Sequence, residues 1–232
     1  MSLPLLLSVP HAGLAVPPEV EACCVLTAQE IAEDGDEGAE EIYDLEAVVA
    51  AFQTTDVARA IVDLNRAEDD RRRDGVVKTH TCWNVPIYRA PLPDDVIEWL
   101  LDRYHRPYHQ RLTELANERR ARLAIDCHTM AAKGPPVGLD SGQERPWICL
   151  GYGEGTCPTP WIEALRDCFV EQIGPHVTIN EPFSGGYITR HHSAEMPWLQ
   201  LEMSRAPFLS NEAKKELVRL VLTRLVARIE EE

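Results

Sequence analysis

Six short apolar runs, separated by longer amphipathic stretches, constrain this chain more than any other feature. Leu3–Val9 ends at Pro10, residues 60–64 lie inside RAIVDLNR, and 123–127 read LAIDC. Residues 147–150 close on GYGEG, and Val177–Ile179 and 198–203 complete the set. Apolar runs this short, bounded by turn residues, read as buried strands. Between them lie helical patterns. Ile42, Leu45, Val48, Val49 and Phe52 recur at helical spacing. Over 96–115, Asp94 predicts the cap, a stripe runs from Ile97 to Leu115, and Pro107 predicts a kink or a break. Residues 160–173 predict a helix stopped by Gly174-Pro175. Ser210 predicts the cap of a last helix with the stripe Leu217, Val221, Leu225 and Ile229. Its closing glutamates oppose the helix dipole and predict a frayed tip. Strands alternating with helices imply an α/β fold with a largely parallel or mixed sheet.

No repeat, low-complexity segment or linker divides the 232 residues, so 1–232 are expected to form a single domain. The formal charge is −15, which repels a phosphate backbone and argues against nucleic acid as a partner. Seven cysteines at irregular spacings read as reduced thiols and predict a cytoplasmic protein. The apolar start, MSLPLLLSVPHAG, lacks a basic leader and the length of a membrane span, so it is expected to be a buried strand.

In open α/β sheets, sites form where strands end. Polar residues near the expected strand ends are His11 in SVPHAG, Asn65 and Arg66 in VDLNR, Asp126 and His128 in AIDCHTM, and Glu202 in LQLEMS. Arg190 follows the glycine pair Gly185-Gly186. Histidines, acids and arginines on one rim suit metal-assisted hydrolysis. A catalytic zinc takes three His or carboxylate ligands, keeps one position open, and needs a nearby base and a cation for the oxyanion. No GxSxG, GxGxxG, Walker A or HExxH pattern offers another chemistry. Cys127 and His128 are adjacent on a strand and point to opposite faces, so they do not pair.

The segments SVPHAG, DEGAEEIY, RAIVDLNR, RPYHQRL, AIDCHTM, PFSGGYITRHH and LQLEMS occur in this order along nearly the whole chain. In this, the sequence resembles the N-formylglutamate amidohydrolase family, related to zinc carboxypeptidases and aspartoacylase. The resemblance implies a three-layer α/β/α fold with a mixed central sheet, zinc-carboxypeptidase-like. It implies one zinc ion on His11, Asp36 and His128, with Glu33, Asp34, Glu37 and Glu40 as alternatives in the acidic stretch EDGDEGAEE. The implied reaction is hydrolysis of N-formyl-L-glutamate to glutamate and formate, so the expected partner is a small anionic substrate.

Roles follow from residue chemistry beside that resemblance. Glu202, among Leu199, Leu201 and Met203, is a buried strand acid and a candidate general base. Arg66 and Arg59 are candidate oxyanion partners, with Asn65 in support. Arg190 is a candidate fork for a substrate carboxylate. His109, four residues after His105 on a helix face, is a candidate pocket residue. The metal with Arg59, Arg66 and Arg190 is expected to create a local positive field. Two alternatives share these residues: a metabolite-binding protein without catalysis, and a deacylase or peptidase with another acyl group.

Overall fold

Alternation along three neighbouring strands sorts the side chains into two cores. The computed structural model describes residues 2–137, 140–153 and 155–230. Its sheet contains β1 (Leu3–Val9), β2 (Val49–Thr54), β3 (Leu123–Met130), β4 (Ile148–Gly151), β5 (Val177–Ile179) and β6 (Trp198–Ser204), in the order β2-β1-β3-β6-β4-β5. Strands β2, β1, β3 and β6 are parallel; β4 joins β6 antiparallel and β5 follows β4 in parallel. The sheet is therefore mixed.

One face carries Leu5, Leu7, Val9, Leu123, Ile125, Cys127, Leu199, Leu201 and Met203. It is covered by α3 (Ala39–Ile42), α6 (Thr159–Ile173) and α8 (Asn211–Glu230). The other face begins apolar, with Leu6, Ala124 and Trp198, and packs under α5 (Arg106–Asn117) and α7 (Tyr187–His192). Further along the same strands that face turns polar: Ser8, Asp126, His128, Gln200 and Glu202 follow at period two, all buried. The result is three layers, α/β/α, as expected.

Several elements differ from the sequence reading. Residues 60–64 are buried but not a strand. Residues 60–62 belong to a helical turn closed by Val62 N–H on the Ala58 carbonyl, and burial alone accounts for the run's apolar character. The pattern from Ile42 to Phe52 is not one helix. The helix ends at Ile42, and strand β2 starts at Val49. Inward positions of two short elements happen to share helical spacing. Pro93, not Asp94, stands at the N-cap position of α4 (Asp94–Leu100), with no side-chain cap; Asp94 sits in the first turn, where its charge suits the dipole. A π-helical turn, Leu101–His105, joins α4 to α5 just before Pro107, so the ring is accommodated without a break. Ser210 does cap α8, its hydroxyl accepting from Ala213 N–H at 3.2 Å. Of the three closing glutamates expected to fray, Glu230 is the last residue of the helix and Glu231 and Glu232 lie outside the described residues. No described helix is long and apolar enough to cross a membrane.

Leu201 is fully buried in the first core, with Glu202 next to it facing the other side. Leu201→Ala is expected to cost about 2–5 kcal/mol in urea unfolding. The exposed Leu220→Ala should stay within about 0.5 kcal/mol.

Candidate active site

Three elements deliver three ligand-type side chains to one point. His11 follows β1, and His128 lies near the end of β3. Asp36 follows α2 (Ala28–Asp34), whose start is set by a reciprocal cap: Thr27 Oγ1 accepts from Glu30 N–H, and Thr27 N–H donates to the Glu30 carboxylate. Asp36 N–H then donates to the His11 carbonyl at 3.2 Å, which ties the two loops together. The imidazole of His128 meets Asp36 Oδ2 through Nδ1 at 2.9 Å, and that of His11 does so at 3.5 Å. The two Nδ1 atoms are 3.2 Å apart.

The outer ring nitrogens are taken. His11 Nε2 donates to Asp63 Oδ1 at 2.8 Å, and His128 Nε2 donates to Asp126 Oδ2 at 2.8 Å. Ionised carboxylates only accept, so the ring hydrogens sit on Nε2 and the Nδ1 lone pairs face inward. Two lone pairs and the Asp36 carboxylate thus converge within 4.8 Å, all buried, with no donor side chain among them. Such a cluster demands a cation or a proton. His11, Asp36 and His128 form a group able to hold a metal ion, and the carboxylates behind both rings are the partners such histidines use.

Charge states agree with this geometry. Burial raises the Asp36 carboxyl, but His11 and His128 outweigh it and hold it well below the ordinary range. Burial also opposes charge on Asp63, yet His11 and Arg59 keep it ionised. Burial lowers His128, but Asp126 and Asp36 overcome it and raise its affinity for a proton. Glu202 sits opposite His128 in the β3–β6 register, on the same face. Burial pushes its carboxyl up, and Gln200 Nε2 donates to it at 2.6 Å.

A cleft of about 1230 Å³ opens over this group. Asn65, Arg59, Arg66, Arg190 and Glu202 all line it. Asn65 Nδ2 donates to Asp126 at 3.1 Å, and its Oδ1 accepts from Ile188 N–H at 2.8 Å. Arg59 is engaged on three sides, with Asp63 at 3.1 Å, Asp36 at 3.6 Å and the Asp34 carbonyl at 3.4 Å. Arg66 reaches Asp74 at 3.3 Å, and among the described residues Arg190 reaches only the Ser184 hydroxyl, at 3.5 Å.

His109 does not join them. Its face of α5 packs into the second core, where Nε2 donates to the Leu64 carbonyl at 3.0 Å and Nδ1 meets His192 at 2.9 Å. Burial, with His105 and His192 beside it, pushes its pKa down to about 2. It lies behind the cleft wall, not in the cleft.

Asp34, one alternative in the acidic stretch, is committed to Lys78 at 2.8 Å. Asp63 is the residue that sequence reasoning missed. An acid inside the apolar run RAIVDLNR carried the same signal that singled out Glu202. The side chains of the cleft supply no net positive charge of their own. Ten carboxylates and seven basic side chains line the cleft, so its walls are acidic apart from any bound metal.

Fold and site together define an α/β protein with a buried His–Asp–His centre of metal-binding type at the ends of parallel strands. The chain belongs to the N-formylglutamate amidohydrolase family, whose model matches residues 3–209. Over 228 residues it is 29% identical to an N-formylglutamate deformylase of Pseudomonas aeruginosa, covering 91% of this chain and 84% of that one. A second deformylase, from Pseudomonas putida, is 27% identical, covering 89% of this chain and 82% of that one. The crystal structure of an N-formylglutamate amidohydrolase from Ralstonia eutropha superposes with a TM-score of 0.80 at 22% identity, covering 99% of this chain and 93% of the other. The last likeness carries the fold.

Asp63→Asn and Asp126→Asn are each expected to weaken metal binding at this group by about 10–100-fold in competition with a chelating dye. Because a proton on His128 competes with metal and its affinity for that proton is raised, metal binding should weaken as pH falls. Gly186→Ala should also disturb the site. Its φ is ordinary at −95°, but an added Cβ would lie 2.2 Å from Asn65 Nδ2 and push the amide off Asp126.

Proposed function

We propose that this chain hydrolyses N-formyl-L-glutamate to L-glutamate and formate, with one zinc ion held by His11, Asp36 and His128. The observation that carries this is the convergence of three buried acceptors beside Glu202, at the floor of a cleft large enough for a small amino-acid derivative. Two imidazoles and one carboxylate suit zinc in a catalytic setting. The N-formylglutamate deformylases among its relatives supply the substrate. The same reading takes residues 1–232 as one amidohydrolase domain working in the cytoplasm, without nucleic-acid or membrane partners.

Bound zinc supplies Lewis acidity, polarising the formyl oxygen and acidifying a water. The remaining steps belong to the chain. Glu202 accepts a proton from the attacking water as the new C–O bond forms at the formyl carbon. Its raised proton affinity lets it keep that proton and then deliver it to the departing nitrogen as the C–N bond breaks. Arg66 stabilises the oxyanion formed between these steps. Arg59, surrounded by acceptors, holds Asp36 and Asp63 in place. Asn65 fixes Asp126 behind His128. Arg190 forks onto a substrate carboxylate.

Formate release from N-formylglutamate tests the reading. Chelator dialysis should abolish it and zinc restore it; full turnover by rigorously metal-free protein would remove the mechanism. Glu202→Gln should retain zinc and ligand but lose at least about 10²-fold in kcat. A pure binding protein would show no turnover to lose. A panel of N-formyl, N-acetyl and N-succinyl amino acids separates the deformylase from a deacylase of different scope.

A further inference from the structure

We infer that Arg205 is a second carboxylate clamp of this cleft, sharing with Arg190 the two carboxylates of an acidic N-acyl amino acid. This deepens the proposed function and rests on it for the nature of the substrate.

Charge accounting inside the cleft singles Arg205 out. Five of its seven basic side chains are already neutralised by protein carboxylates. Arg59 serves Asp36 and Asp63, Arg66 serves Asp74, Arg72 serves Asp70, Lys78 serves Asp34, and Arg145 forks onto Asp140. Among the described residues, no carboxylate oxygen lies within 4.0 Å of Arg190 or Arg205. An acidic wall repels a dianion everywhere except at unpaired cations and at the metal. A glutamate-type substrate brings two carboxylates, and among the described residues the cleft holds two arginines without an acidic partner.

The mount of Arg205 also suits a clamp. It lies three residues past Glu202, directly after β6. Its N–H donates to the Met130 carbonyl at 2.8 Å. The carbonyls on either side of it, of Ser204 and Ala206, both accept from the buried Lys214 ammonium, at 2.8 and 3.1 Å. Lys214 has no carboxylate partner among the described residues, and burial lowers its pKa. Holding this turn is what its hydrogen bonds accomplish. One guanidinium nitrogen, Nη1, rests on the Gly35 carbonyl at 3.4 Å, beside Asp36. The other guanidinium donors have no acceptor among the described residues and remain for a ligand. Arg190 rises from α7, over the opposite face of the sheet from α8, so the two arginines approach the cleft from different supports.

Arg205→Gln retains an amide donor for the Gly35 carbonyl and removes the charge, while Arg205→Ala removes both. Each is compared with wild type and Arg190→Ala on N-formylglutamate and on its two monoamides, one lacking the side-chain carboxylate and one lacking the α-carboxylate. Thermal melting and zinc content establish that the variants are folded and loaded. Both Arg205 variants should raise KM for N-formylglutamate by about tenfold or more, as expected for a lost charged hydrogen bond. The loss should vanish on one monoamide, and for Arg190→Ala on the other. Arg205→Lys should recover part of it, since an ammonium keeps the charge but not the fork. Calorimetric titration with glutarate gives a second readout that needs no turnover. Wild type should bind it, and Arg205→Gln should bind about tenfold more weakly. Inert wild-type protein that still shows this glutarate difference would overturn the deformylase reading and keep the clamp. Equal losses on all three substrates, wild-type KM in Arg205→Gln, or unchanged glutarate binding would overturn the clamp.

Discussion

Two carboxylates buried behind two imidazoles are the constraint on which the rest of this site depends. Asp63 and Asp126 fix the hydrogens of His11 and His128 on their outer nitrogens. The inner lone pairs then have no choice but to face each other and Asp36. Burial makes this costly in the absence of a cation, because an unpaired buried polar group loses its water without replacement. The supporting groups are themselves held. Ser8 donates to Asp126 and meets the Tyr108 hydroxyl, while Tyr43 donates to the His128 carbonyl. A chain of hydrogen bonds therefore runs from the helices on both faces of the sheet into the metal-type centre.

The sheet makes this network possible by changing character along its length. On one face, apolar residues run the full length of the central strands and seal against α3, α6 and α8. On the other, apolar residues give way to Ser8, Asp126, His128, Gln200 and Glu202. Parallel register brings Ser8 beside Asp126, Asp126 beside Gln200, and His128 beside Glu202. A one-residue slip in β6 would turn Glu202 into the apolar core and bring Leu201 or Met203 to the cleft. Register is thus both a packing constraint and a chemical one.

An acidic protein with an acidic cleft is an unexpected host for a dianion. Most of the cleft's own cations are consumed by its carboxylates and are structural: Arg59, Lys78 and Arg145 each hold an acid in place. Attraction is left to Arg190 and Arg205, which have no acidic partner among the described residues, and to whatever cation the His11, Asp36 and His128 group holds. Such a site discriminates by position and not by bulk field, because a substrate carboxylate gains most where an unpaired guanidinium stands.

Much of this was legible in the sequence. Alternation of apolar runs with amphipathic stretches determined the α/β class, every strand of the sheet except β2, and the helices over 94–117, 159–173 and 211–230. Acids and histidines near strand ends, taken with the family resemblance, pointed to His11, Asp36, His128, Asn65, Arg66 and Glu202, which the fold gathers around one cleft. Other features only the tertiary structure decided. Residues 60–64 are apolar because they are buried, and apolarity alone does not distinguish a strand from a buried turn. His109 and His105 share a helix face, yet that face turns to the second core. Asp63 and Arg205 acquire their importance from neighbours far away in sequence: the ring of His11, and the carbonyls of Gly35 and Met130. Period and propensity are local and leave their mark on the chain, whereas the pairing of charges is settled only when distant segments meet.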